Sequence, residues 1–76
     1  MEKWVAELEK LPSVIEKAGQ RFGLVIYKEY DSDIWLMDNK YDWVIAYRHW
    51  GKEIFRVRRG FLGDAVKEIV ELIKEA

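Results

Sequence analysis

The chain contains no cysteine and no threonine, and only one proline (Pro12), one histidine (His49), one asparagine (Asn39) and one glutamine (Gln20). Without cysteine there is no disulfide framework, no thiolate metal site and no thiol nucleophile. The lone histidine and the two serines, Ser13 and Ser32, stand apart in sequence and show no nucleophile–base pattern. No apolar run reaches the roughly 18 residues of a membrane-crossing helix, and the start Met1-Glu2-Lys3 lacks the basic stretch of a secretory leader. The expected location is therefore the cytoplasm, away from membranes. Charge of one sign is also missing: 13 Lys+Arg face 14 Asp+Glu.

What remains is rich in apolar and aromatic residues. Of 76 residues 50% are hydrophobic, and four Trp, four Tyr and three Phe exclude a disordered chain. This length suits a single domain over 1–76, one that hides only about 60% of its unfolded surface and depends on efficient packing. Few thermolabile amides and a heavy Lys/Glu load are the profile of a heat-adapted protein. The same profile arises in a chain composed of charged helix formers. The heat-adapted reading sets an expected melting midpoint above about 65 °C.

Periodicity divides the chain into α-β-β-β-β-α. Over 2–19, Trp4, Leu8, Leu11, Ile15 and Ala18 recur at helical spacing, with a kink expected near Leu11 because Pro12 removes a backbone donor. Gly19 is a natural stop. From Phe22 the period becomes two, in runs at 22–30, 33–38, 41–49 and 52–59. The separators Asp31-Ser32, Asn39-Lys40 and Trp50-Gly51 are too short for anything but antiparallel neighbours. Residues 61–76 return to helical spacing through Leu62, Val66, Ile69 and Leu72 or Ile73. The expected fold is an α+β domain: a four-stranded antiparallel meander with both terminal helices packed on one face.

A two-residue turn at Asn39-Lys40 would set Leu36 opposite Trp43 and Ile34 opposite Ile45. A three-residue loop His49-Trp50-Gly51 would set Ile45 opposite Phe55 and Trp43 opposite Val57, with Asp42 meeting Arg58. One face then collects Val25, Tyr27, Ile34, Leu36, Trp43, Ile45, Tyr47, Phe55 and Val57 as core. The other carries Leu24, Ile26, Lys28, Trp35, Met37, Val44, Ala46, Arg48, Ile54, Arg56 and Arg58. Two helices cover one side of such a sheet, so the second face is expected open and unusually apolar for a solvated surface.

Arg, Trp and Met are enriched in protein interface cores. The expected function is thus a small non-enzymatic protein-binding module, regulatory or inhibitory, or a homodimer. It would engage its partner or its own copy through Trp35, Met37, Ile54, Arg56 and Arg58. The alternative is nucleic-acid binding. Residues 48–59 hold five bases against one acid, whereas 1–47 hold six against nine and 60–76 two against four. Arg48, His49, Trp50, Lys52, Arg56, Arg58 and Arg59 combine cations with aromatic rings, as single-strand binders do, although the chain is acidic overall.

No catalytic residue, metal ligand or cofactor site is expected. His49 reads as a hairpin-tip residue, and Asp31-Ser32-Asp33 lacks the glycine and distal glutamate of a calcium loop. The glycines form no phosphate-binding pattern. Length and element order are similar to a double-stranded-RNA-binding domain. That family, however, has three strands and a lysine-rich entry to its last helix, where this chain reads Gly60-Phe61-Leu62-Gly63-Asp64-Ala65. None of its site residues transfer.

Overall fold

The computed structural model describes residues 2–30 and 41–75. Helix α1 spans Lys3–Lys10, followed by strands β1 (Val14–Lys17), β2 (Gln20–Tyr30), β3 (Tyr41–His49) and β4 (Lys52–Arg59), and by helix α2 (Leu62–Glu75). The strands form one antiparallel sheet in the order β1-β2-β3-β4. The α-β-β-β-β-α order and the α+β class are as read from the sequence.

The strands themselves are not all those expected. The first helix ends at Lys10, just before Pro12, and Val14–Lys17 is a strand where helix was expected to 19. Ala18 and Gly19, at φ 53° and 77°, close a two-residue turn between Lys17 and Gln20. Positive φ at both central residues is the backbone of a type I′ hairpin, whose twist matches that of the flanking strands. The expected strand at 33–38 lies outside the described residues.

Its expected place beside β3 is filled by β2. Ile26 stands opposite Ile45 and Lys28 opposite Trp43, while β4 occupies the other edge of β3. This pairing reverses the expected faces of β2: Leu24 and Ile26 share the side of Ile45 and Tyr47, and Val25 and Tyr27 turn away. The last hairpin is closed by two residues, not three. Trp50 and Gly51 both have positive φ (51° and 86°), and His49 pairs with Lys52. A bulge at Phe55 (φ 53°) then adds one residue to β4, so that Tyr47 faces Ile54 while Ile45 faces Val57. The two one-residue offsets cancel in their effect on facing, and Val57 returns to the core side where the sequence put it.

That side carries the core. Phe22, Ile45, Tyr47 and Val57 from the sheet meet Ala65, Val66 and Ile69 of α2, with Trp4, Leu8, Leu11, Ile15, Leu24, Ile54 and Phe55 packed around them. Both helices therefore lie on one face, as expected. The fully buried Tyr47 donates its hydroxyl hydrogen to the Pro12 carbonyl (2.7 Å), tying the α1–β1 connection to the central strand. Arg59 joins β4 to α2 through Glu68 (2.6 Å).

Candidate binding surface

The face opposite the helices belongs to Val25, Tyr27 and Glu29 of β2, to Asp42, Val44, Ala46 and Arg48 of β3, and to Glu53, Arg56 and Arg58 of β4. Val44 and Ala46 are wholly buried although no described helix covers them. Long side chains from the neighbouring strands reach over β3 and meet above it. Arg58 binds Asp42 (2.7 Å) and reaches Glu29 on β2 (2.8 Å). Arg56 also pairs with Glu29, and with Glu53 (3.3 Å). Arg48 holds Glu53 (2.7 Å), and the Tyr27 hydroxyl crosses from β2 to donate to the same carboxylate (3.1 Å). The Arg48 guanidinium lies 5.3 Å from the Tyr27 ring centroid, a cation–π contact.

The result is a continuous alternation Asp42–Arg58–Glu29–Arg56–Glu53–Arg48 laid flat on the sheet. Isolated surface pairs contribute about 0–1 kcal/mol, more when networked with fixed geometry. Here the larger consequence is positional, since each guanidinium is held by at least one carboxylate. The greasy open face expected from the sequence is therefore, among the described residues, a polar lattice sealing two small apolar side chains.

Glu53 is the most enclosed member, its side chain 16% exposed. Burial pushes its pKa up. Hydrogen bonds from Arg48 and Tyr27, with the charges of Arg48 and Arg56, outweigh that and leave the carboxyl below its ordinary value. A depressed native pKa adds stability above the unfolded value of about 4.3, lost as pH falls through the native value. Melting curves between about pH 5 and pH 3 should show the midpoint falling, and Glu53→Gln should remove part of that fall. An unchanged slope would show that Glu53 is not held by the lattice.

Of the five residues proposed from sequence as a partner site, Arg56 and Arg58 are brought together on this face. Ile54 is not with them: it pairs with Tyr47 and packs against the core. This corrects its expected facing, and the cause is the shorter turn. Trp35 and Met37 lie outside the described residues. The expected Asp42–Arg58 contact forms, reached diagonally because Arg58 pairs with Val44.

The seven residues of the nucleic-acid alternative divide three ways. Arg48, Arg56 and Arg58 belong to the lattice. Arg59 is turned to α2. His49, Trp50 and Lys52 sit at the hairpin end, with His49 Nδ1 2.8 Å from the Arg21 carbonyl oxygen. Trp50 is 94% exposed.

Sequence reasoning missed Glu53 because the shorter turn brings it to this face, and missed Tyr27 and Glu29 because Val25-Tyr27-Glu29 and Leu24-Ile26-Lys28 alternate equally well. Only the partner strand decides which set faces the helices. Elsewhere, an open groove of about 350 Å³ runs between Leu11-Pro12 and Val70-Ile73, edged by Glu7, Lys10 and Lys74. Among the described residues no group of three or more His, Asp or Glu is placed to hold a metal ion, and no helix is long and apolar enough to cross a membrane. Among the described residues the architecture is α+β, with both helices on one sheet face and none on the other. No protein-family model, curated protein or solved structure matches the chain.

Proposed function

We propose that this chain is a small non-enzymatic protein-binding module of the cytoplasm, regulatory or inhibitory in role and without a cofactor, that docks through the helix-free sheet face. The observation that supports this most is the fixed presentation of Tyr27, Arg48, Arg56 and Arg58 on a face over which no described helix lies. Arg and Tyr are the types enriched where proteins meet. Side chains already immobilised by neighbours lose little further entropy on binding, which is how preorganisation raises affinity. Trp35 and Met37 remain the proposed apolar anchors, while Ile54 packs on the core side. The partner is a second protein or a second copy of the chain.

The test compares the wild-type protein with Arg48→Ala/Arg56→Ala as bait in extracts of the source cell. The wild type should retain a partner, or dimerise in light scattering, and the variant should lose it. Both side chains are about two-fifths exposed (43% and 39%), so the melting midpoint should move by only a few degrees, since about 1 kcal/mol shifts a domain of this size by roughly 4–8 °C. Identical retention by both proteins would overturn the proposal.

A further inference from the structure

The antiparallel register brings both hairpin turns to one end of the sheet. Gly23 of β2 pairs with Arg48 of β3, so the Ala18-Gly19 turn and the Trp50-Gly51 turn stand side by side. Trp50 sits at the tip with φ 51° and 94% of its surface in water. A type I′ turn favours Asn, Asp or Gly at that position, and left-handed backbone costs an ordinary residue about 1–2 kcal/mol. A ring so exposed repays almost none of that within the fold. The turn imposes that backbone as it does at Ala18, but a large ring left in water is something the fold does not use, and it points to a use outside the molecule.

The surroundings define the ligand's chemistry. Exposed Arg21 and Arg48 lie on the lattice side of the tip and exposed Lys52 on the helix side. Lys17, over the Phe55 ring (5.2 Å), stands on the neighbouring hairpin. Against these four cations stand Glu16, opposite Arg21, and Glu53, bound to Arg48, so the end is positive by two charges in a chain of net −1. His49, between Phe22 (5.6 Å) and Trp50 (6.5 Å), continues the aromatic contacts from the tip inward. The four strands give this end a width of about 14 Å at 4.8 Å per neighbour.

We propose that this end is a contact site for single-stranded nucleic acid, in which a base stacks on the Trp50 indole while Arg21 and Lys52 hold the phosphates on either side. Arg48 and Lys17 add to the positive field. One ring flanked by cations suffices for stacking with backbone attraction. A lipid surface is held by buried apolar area, and the tip's turn neighbours Ala18, Gly19 and Gly51 supply almost none. A protein hot spot sits at the centre of a packed patch, whereas Trp50 stands alone at an edge.

The probe is a fluorescein-labelled oligothymidylate of about 15 nucleotides, matched to the usual single-strand footprint and followed by anisotropy at about 50 and 200 mM salt. Binding should be present at low salt and weaken steeply at the higher. Trp50→Ala should lower affinity about tenfold, and Lys52→Gln should reduce the slope of log affinity against log salt by up to about one. Both variants should melt like the wild type, which separates contact from folding. Absence of binding at low salt, affinity indifferent to Trp50→Ala, or tighter binding to phosphatidylglycerol vesicles than to the oligonucleotide would each overturn the assignment. None of these outcomes bears on the helix-free face, whose test reads Arg48 and Arg56 against a protein partner.

Discussion

Ile45→Ala should cost about 2–5 kcal/mol of unfolding free energy, a large loss for a single truncation. Ile45 is fully buried in the central strand, between Ile26 on β2 and Val57 on β4, beneath the α2 residues Val66 and Ile69. Its removal leaves a void that three surrounding elements cannot collapse together, so the cavity penalty adds to the lost transfer energy. For 76 residues the total stability is of the order of 4–11 kcal/mol, and this one change removes a large share of it. Ile26→Ala is the control. Ile26 is the cross-strand neighbour of Ile45 but 39% exposed, so its truncation should cost less than half as much. Equal losses in denaturant titrations would place Ile26 as deep in the core as Ile45 and contradict its partial exposure.

The second large effect is expected at Gly63, the only buried glycine among the described residues. A Cβ there would lie 2.6 Å from the Phe61 ring and 2.8 and 3.0 Å from two atoms of the Trp4 indole. The Phe61 ring is half exposed and can swing aside. Trp4 cannot yield as cheaply, because the crowded atoms include Cγ, next to its own backbone, and the ring packs edge-on against Phe61 (6.0 Å). Relief requires α1 to lift from α2. Alanine would regain about 1 kcal/mol of helix propensity, which offsets part of that cost. Gly63→Val regains less propensity, adds two methyl groups to the same space and should cost about 3 kcal/mol by overpacking. It should also raise hydrogen exchange in α1 above that of the sheet. A Gly63→Val protein as stable as wild type would show that α1 is not seated through this contact.

The order of elements was legible because each long element carries its own period. Residues 62–75 repeat at 3.6 and 41–49 at 2 over enough residues to exclude the other reading. Residues 14–17 were not legible. A four-residue strand has a single strongly inward side chain, Ile15, and its distance from Leu11 and Leu8 happens to continue a helical stripe. Pro12 was the available signal, and it marks an end where a kink was inferred. Ala18 gives no warning of a left-handed turn, and neither does Phe55 of a bulge, since both conformations are imposed by the strands they join. The candidate site depended on these details. Arg56 and Arg58 were placed on the open face, but Ile54 was placed there too, one register step from its true side. Of the acids that immobilise the arginines, Glu29 comes from a strand whose facing sequence alternation alone leaves undecided, and Glu53 reaches this face only through the shorter turn.

Among the described residues the lattice is what lies over the side of the sheet opposite the helices. Tyr27, Glu29, Arg56 and Arg58 lie along the sheet instead of projecting from it, so Val44 and Ala46 are dry while the surface stays polar. Such a face resists indiscriminate association, since a partner must match fixed charges to repay their desolvation.

The most direct measurement of the docking proposal is photo-crosslinking in the source cell, with a benzoylphenylalanine placed at Val25, on the helix-free face but outside the ion-pair chain, and separately at the exposed Lys67 of α2. Irradiation should produce a discrete higher-mass adduct from position 25 and none from position 67. An adduct from position 67 alone, or none from position 25, would contradict the account.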